Sequence, residues 1–282
     1  NDDIFDGSGF FNPGTATTVA TLGNADSLDG GAGTDTLNAI LTATTTITPS
    51  SLAMEVVNGT FTAAGTLNLA NATDVTTLGF LNNSAAAIIS GVQTAPTAIN
   101  ITNSGVNATV TIADAALAGT SDSSTLTLKN VTAGTATIQS TTATSGFETL
   151  NIVSTGNTAN VLTALADGNG NSLATINISG SQAINLGTTL DATVATVDAN
   201  ALTGILTMVQ SGTVVSTITG GTANDVINLA GGFVDGSVAA SADTVNGGDG
   251  TDRLMLTSTE AAAVGAASEF SKVTNVETIV IT

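Results

Sequence analysis

Short runs in which an aliphatic residue alternates with Thr or Asn recur along most of this chain. Examples are Ile99-Asn100-Ile101, Val110-Thr111-Ile112, Leu126-Thr127-Leu128, Ala136-Thr137-Ile138, Leu150-Asn151-Ile152, Ile176-Asn177-Ile178, Ile184-Asn185-Leu186, Thr196-Val197-Asp198 and Leu206-Thr207-Met208. A period of two places the aliphatics on one face of a strand and the polar β-branched residues on the other. Centres step by roughly 10–16 residues, separated by Gly, Asn and Ser, which predicts many very short strands. Such strands suit a sandwich, a barrel or a solenoid. The run from about Thr46 to Thr219 fits a continuous stack best, because each short strand can pair with the next turn and bury a narrow core of Ile, Leu, Val and Ala. A β-sandwich is the alternative. Helix is minor: Glu260 to Ser268 predicts a turn or two. Pro13, Pro49 and Pro96 fit loops or turn starts.

A second pattern flanks this region. Gly30-Gly31-Ala32-Gly33-Thr34-Asp35-Thr36-Leu37-Asn38, Gly220-Gly221-Thr222-Ala223-Asn224-Asp225-Val226-Ile227-Asn228 and Gly247-Gly248-Asp249-Gly250-Thr251-Asp252-Arg253-Leu254-Met255 match the nine-residue form G-G-x-G-x-D-x-U-x completely or nearly so, the second with Ala223 in place of the third Gly, where U is a large aliphatic. In that form one unit makes one turn of a parallel β-roll that holds calcium. Glycines allow the tight turn and aim carbonyls at an ion, the Asp adds a carboxylate oxygen, and the aliphatic starts a strand pointing into the core. Calcium takes 6–8 oxygens, so adjacent turns must share it. Nine residues before Asp35 and Leu37 lie Asp26 and Leu28, and nine before Asp252 and Leu254 lie Asp243 and Val245, which predicts two stacked loops at each place. Asn1-Asp2-Asp3-Ile4 resembles Asn224-Asp225-Val226-Ile227, with Asp2 in the place of Asp225. The alternative is a set of tight Gly-Asp turns with no metal.

The two ends also resemble each other over a longer span. Ala25 to Leu37 matches Ala242 to Leu254, and Met54-Glu55-Val56-Val57 matches Val276-Glu277-Thr278-Ile279. The matches lie about 220 residues apart, as in one long repeat followed by the start of the next. The expected organisation is residues 1–45 as calcium-binding turns, 46–219 as a Thr/Ala/Asn-rich solenoid, and 220–282 as a second calcium-binding block. A piece of a longer protein is expected, with any export signal outside it. Glu55, Glu148 and Glu277 each stand just before an aliphatic strand. They serve either as carboxylates capping a calcium site or a turn, or as solvent-facing strand residues.

Charge narrows the partners. The 282 residues carry 22 Asp and Glu against 3 Lys and Arg, for a net charge of −19. Such a surface repels nucleic acid and anionic lipid. Hydrophobic residues reach 42%, too many for a disordered acidic tail. With almost no basic partners, the carboxylates call for a divalent cation. No apolar run is long enough to span a membrane. The chain holds no His, Cys, Tyr or Trp, so neither a Ser-His-Asp triad nor a thiol nucleophile exists, and no enzyme is expected. A ligand ladder or ice-binding array would need Thr-x-Thr at regular spacing, which the sequence does not display; solvated β-branched strand residues are the reading of the many Thr side chains.

The Gly-Gly-x-Gly-Thr-Asp units resemble those of RTX proteins. Together with the Thr/Ala-rich strands and phrases such as Gly146-Phe147-Glu148-Thr149-Leu150-Asn151-Ile152 and Val197-Asp198-Ala199-Asn200-Ala201-Leu202-Thr203-Gly204, the chain is similar to calcium-dependent surface-layer proteins of Gram-negative bacteria and to related giant repeat-containing surface proteins. The resemblance implies an all-β, parallel β-solenoid or β-roll fold with calcium-binding turns near both ends. It implies bound Ca²⁺ ligated by Asp2, Asp26, Asp35, Asp225, Asp243 and Asp252, with Gly30, Ala32, Gly220, Gly247 and Asp249 in the same loops. It also implies an extracellular, cell-surface location, and self-association into a lattice or filament. Lipopolysaccharide or another surface glycan would be held through parts outside these residues. The alternatives are an extender repeat of a type I-secreted adhesin and the non-catalytic tail of an exported enzyme.

Overall fold

The computed structural model describes residues 1–282 except 8, 15–16, 143–144, 169–171, 212–213, 231–232, 234–242 and 265–269. It is a right-through stack of parallel strands, a β-solenoid with almost no helix. One 12-stranded sheet runs the length of the chain, in the order Ile4–Gly7, Thr36–Leu41, Val56–Phe61, Thr77–Leu81, Ala98–Thr102, Ser123–Lys129, Thr149–Thr155, Thr175–Gly180, Thr196–Leu202, Thr217–Thr219, Thr244–Asn246 and Val273–Thr274. A six-stranded sheet from Thr46–Ile47 to Ala164–Ala166 forms a second face of the first turns. Another, from Asn160–Val161 to Thr278–Ile281, takes over that role in the later turns. A three-stranded sheet (Ser27–Asp29, Ser51–Ala53, Ala72–Thr73) completes the first turns. The long sheet crosses positions 45 and 219 without a break.

Parallel pairing in register stacks like upon like. Leu37 pairs with Val57, Val57 with Leu78, Leu78 with Ile99, Ile99 with Leu126, Leu126 with Ile152 and Ile152 with Ile178. Every member of that column is buried. The alternation seen in the sequence is thus the alternation between this interior column and the outer face. Phe61 and Phe80, both fully buried, stack with ring centroids 6.3 Å apart within a mainly aliphatic interior. A sandwich is ruled out among the described residues, where the antiparallel contacts are confined to Phe10–Asn12 with Thr17–Val19 and a single bridge between Ala164 and Gly187. Among the described residues the one α-helix, Ser258–Ala263, begins at a capping box between Thr257 and Glu260. The rest of the predicted stretch to Ser268 falls partly outside the described residues.

The coil is longer than the nine-residue unit. The residues that stack directly are 32 apart at Asp3 and Asp35, 20 at Asp35 and Glu55, 26 at Asp122 and Glu148, and 27 at Asp225 and Asp252. Consecutive nine-residue units therefore do not lie on top of one another. Leu28 pairs with Leu52 in the three-stranded sheet, whereas Leu37 pairs with Phe5 and Val57 in the long one. Val245 pairs with Ile218 and Val273 in the long sheet, whereas Leu254 pairs with Ile227 and Ile279 on another face. Each unit supplies one side of a coil, so the expected two-loop stacks at Asp26/Asp35 and Asp243/Asp252 become neighbours around the coil instead. A strand can pair only with a strand one full circuit away, and nine residues do not complete a circuit here.

Replacing Phe80 by Ala empties a site with no solvent access. We expect a loss of about 3–5 kcal/mol in urea unfolding followed by circular dichroism; an unchanged midpoint would contradict this packing.

Candidate metal centre

Strands of the solenoid begin at coil corners, where the chain turns and backbone N–H groups face along the stacking axis. Carboxylates from the next coil reach back to them. Asp3 N–H donates to Asp35 Oδ1 (2.6 Å), and Asp35 N–H donates to Glu55 Oε2 (2.7 Å). Near the other end Leu206 N–H donates to Asp225 Oδ1 (2.8 Å), Asp225 N–H to Asp252 Oδ1 (2.7 Å), and Asp252 N–H to Glu277 Oε2 (2.7 Å). The same device recurs singly: Asp122 N–H to Glu148 Oε2 (2.6 Å), Asp167 N–H to Asp191 Oδ2 (2.7 Å), and Ser216 N–H to Asp243 Oδ1 (2.6 Å). Glu55, Glu148 and Glu277 are thus turn caps: each accepts from the residue at its own register one coil back. Their position just before an aliphatic strand was legible; which N–H they reach was not.

The two columns are built alike. Asp225 N–H meets Asp252 as Asp3 N–H meets Asp35, and Thr251 N–H donates to Asn224 Oδ1 (2.8 Å) as Thr34 N–H donates to Asp2 Oδ1 (2.9 Å). Strand register agrees, pairing Ile4 with Thr36 and Val226 with Arg253. Asp3, not Asp2, therefore occupies the place of Asp225, and Asp2 takes the place of Asn224. The sequence match was one residue out of step, since Asn1-Asp2 and Asp2-Asp3 fit the pattern about equally well without pairing partners.

The remaining candidate residues are distributed as follows. Asp26 stays local, its Oδ2 accepting from Gly23 N–H at 2.8 Å, and it does not join Asp35. Ala32 lies on an exposed turn with its carbonyl receiving the Asn1 amino group at 2.7 Å. Asp249 is exposed, and its N–H donates to Gly221 O at 3.0 Å. Asp243 caps the long sheet, away from the Asp225–Asp252 column. Gly30, Gly220 and Gly247 make room: a Cβ on Gly30 would run into the Asp35 side chain, and one on Gly247 would lie 2.5 Å from Asp252 Oδ2. A Cβ on Gly220 would collide with the Gly247 carbonyl oxygen one coil on. The paired glycines are thus required by the closeness of the carboxylates and of stacked backbone.

Asp35, Asp225 and Asp252 are all buried, at 0%, 0% and 1% exposure. Asp225 is fully engaged, because its Oδ2 also accepts from Gly221 N–H at 2.6 Å. Asp35 and Asp252 are not: in each, Oδ1 caps the previous coil while the buried Oδ2 has no hydrogen-bond partner. Burial pushes the Asp225 carboxyl above the ordinary carboxylate range against its two backbone bonds, with the Asp252 charge adding to the rise. Burial likewise raises Asp252, with Glu277 and Asp249 as the nearby negative charges. An unpaired carboxylate oxygen inside protein is a costly arrangement that a cation or a proton relieves. Among the described residues no three acidic side chains converge as a metal cluster. A cation at either Oδ2 would draw its other oxygens mainly from backbone carbonyls and water, a donor set that suits a hard ion such as Ca²⁺.

Comparison with family models, with curated proteins and with solved structures returns no match.

Glu55→Ala leaves the Asp35 N–H without its acceptor and should cost about 1–3 kcal/mol in chemical unfolding, whereas Glu55→Gln, which keeps an acceptor oxygen, should recover most of it. Equal losses in both variants would refute the capping role. The raised carboxyls also fix a pH dependence. A group whose folded pKa is raised contributes stability that is complete below its unfolded value of about 3.9 and is lost as pH climbs through the folded value. The chain in chelator should therefore melt at progressively lower temperature as pH rises from about 4 towards neutrality. Asp252→Asn should flatten that slope; melting curves with the same slope as the parent would remove Asp252 as a source.

Proposed function

We propose that the chain is a structural, calcium-stabilised module of a secreted bacterial surface protein that assembles with copies of itself into a lattice or filament. The observation that carries this reading is the pair of buried, unpartnered oxygens, Asp35 Oδ2 and Asp252 Oδ2. Both belong to the Asp of a Gly-Gly-x-Gly-Thr-Asp loop, both stand one coil before the Glu that ends their column, and both pack against a glycine whose missing Cβ makes room for the carboxylate. Ca²⁺ there would be held by Asp35 with the Gly30–Gly33 loop and by Asp252 with the Gly247–Gly250 loop. When bound it would supply positive charge to a chain that carries −19 and tie successive coils together.

The solenoid supports the structural part of the reading, because a stack of coils is a rigid rod whose sides repeat along one axis. The acidity supports the calcium part. Copies bearing so much like charge repel until a cation intervenes. The resemblance to surface-layer proteins supplies the location at the cell surface. A repeat of a long adhesin shares the same coils and the same ions and differs in remaining single.

Each occupied site would add about 2.7 kcal/mol at a calcium concentration 100 times the dissociation constant. Melting should therefore rise on going from EGTA to millimolar Ca²⁺, and Asp35→Ala and Asp252→Ala should each reduce that rise. Variants that match the parent in both conditions would sink the ligand assignment. Negative-stain microscopy of the same samples tests assembly: ordered sheets or filaments in calcium support the module, and single particles favour the adhesin extender.

A further inference from the structure

The three Gly-Gly loops are nearly alike in sequence, yet their second glycine adopts two different states. The loops begin in the same way: Gly220 N–H donates to Asn246 O at 2.8 Å, and Gly247 N–H donates to Thr274 O at 3.0 Å. At the next residue they part. Gly31 and Gly248 are left-handed, with φ of +81° and +97°, whereas Gly221 is not. Gly31 N–H donates backwards to Asp29 Oδ1 (2.9 Å), and Gly248 N–H donates backwards to Asn246 Oδ1 (3.2 Å). Gly221 N–H instead donates forwards to Asp225 Oδ2 at 2.6 Å. The state of this one N–H separates the aspartates: Asp35 and Asp252 keep a buried Oδ2 without a partner, and Asp225 does not.

The residue that ends the preceding strand accounts for the difference. It is Asp29 in Ser27–Asp29 and Asn246 in Thr244–Asn246, but Thr219 in Thr217–Thr219. A carboxylate or amide oxygen at that place reaches the N–H two residues on, and a threonine hydroxyl does so more weakly. The chain uses the same capture at other strand ends. Asn185 Oδ1 accepts from Gly187 N–H (2.8 Å), and Asn228 Oδ1 accepts from Ala230 N–H (2.9 Å). Asn228 holds even an alanine left-handed, at φ +49°, where a Cβ is unfavourable. Place in the fold does not explain the contrast, because Thr219 and Asn246 are register partners on adjacent coils of the long sheet. One other difference lies further round the loop: Ala223 stands where the open loops have Gly33 and Gly250, at φ +144° and +127°.

We infer that Asp29 and Asn246 are positioning residues for the calcium loops: by holding the N–H of Gly31 and of Gly248 they keep it off the aspartate and leave Asp35 Oδ2 and Asp252 Oδ2 open to the ion. Thr219 lets Gly221 close on Asp225, so the 220–228 unit caps its own carboxylate and takes no calcium. The inference rests on the calcium reading of the two open loops and goes beyond it, because a residue outside the nine-residue unit decides whether the unit binds. Charge is not the means. Asp29 and Asn246 differ in charge and make the same bond. Nor does either need to touch the ion, since each acts through the glycine N–H that it removes from competition with the ion for the same oxygen.

Calorimetric titration of the full chain with Ca²⁺, after stripping with EGTA, reads each binding event. The parent should show one event for each open loop. Asn246→Thr, which copies Thr219, should weaken one of them by about tenfold or more, because the loop must then break a hydrogen bond to a charged group before the ion enters. Asn246→Asp and Asp29→Asn should retain both events, since either side chain captures the same N–H. In the opposite direction, Thr219→Asn combined with Ala223→Gly should add a binding event at Asp225, and Ala223→Gly alone should not. A merely structural role for the strand-end residue would shift melting in EGTA and add no ion. Circular dichroism in EGTA checks that each variant folds. Three results would overturn the inference and leave the calcium reading standing: Asn246→Thr binding as the parent does, the double variant gaining no event, or Ala223→Gly gaining one by itself. A parent that binds no calcium would overturn the reading of the loops, and the inference with it.

Discussion

Everything in this protein depends on register between coils. A parallel stack has no hairpins to fix alignment, and a slip of one residue would turn the aliphatic column outward. Two devices hold it. One is the inward column from Leu37 to Ile178, in which every neighbour is aliphatic and buried. The other is the hydrogen bond from a corner N–H to the carboxylate one coil on, which fixes the stack at Asp3–Asp35–Glu55, Asp122–Glu148 and Leu206–Asp225–Asp252–Glu277. Asparagine pairs such as Asn58 with Asn38 and Asn130 with Asn103, each at 2.9 Å, add side-chain bonds at the same spacing.

The second device stores a conflict. Capping by carboxylates satisfies N–H groups that would otherwise be buried and bare, but it stacks like charges one coil apart. At that separation two carboxylates repel by on the order of 3 kcal/mol even at an effective dielectric of about 20. Hydrogen bonding therefore draws together groups that electrostatics drives apart; burial is the main cause that raises the Asp225 and Asp252 carboxyls, and the neighbouring carboxylates add to the rise. A proton relieves it in acid, and a bound cation would relieve it at neutral pH. This is the physical link between the fold and the calcium dependence proposed for it. It also explains why Glu closes the columns: Glu277 and Glu55 reach back from less buried positions, where a terminal charge is still hydrated.

The sequence made the strands legible because a half-buried strand advertises itself by period two. Leu150-Asn151-Ile152 and Ile176-Asn177-Ile178 needed no partner to be recognised. Glycine pairs before Asp were equally visible, since only glycine leaves room where Gly220 and Gly247 approach other backbone. What the sequence did not convey was the circumference. Coil length varies from 19 to 32 residues, because loops between corners absorb insertions without disturbing the strands. Counting by nine therefore put Asp26 over Asp35 and Asp243 over Asp252, and it gave Asp2 the place that belongs to Asp3.

By itself, the sequence determined the class of the fold, the inward and outward sides of each strand, the corners where carboxylates gather, and the excess of negative charge. These are properties of a residue and its near neighbours. The tertiary structure alone decided which corner lies on which: that Asp252 caps Asp225, and that Asp35 and Asp252 each keep one buried oxygen without a partner. Those are relations between residues more than twenty positions apart, and they are set by the number of residues each coil needs to close around its core.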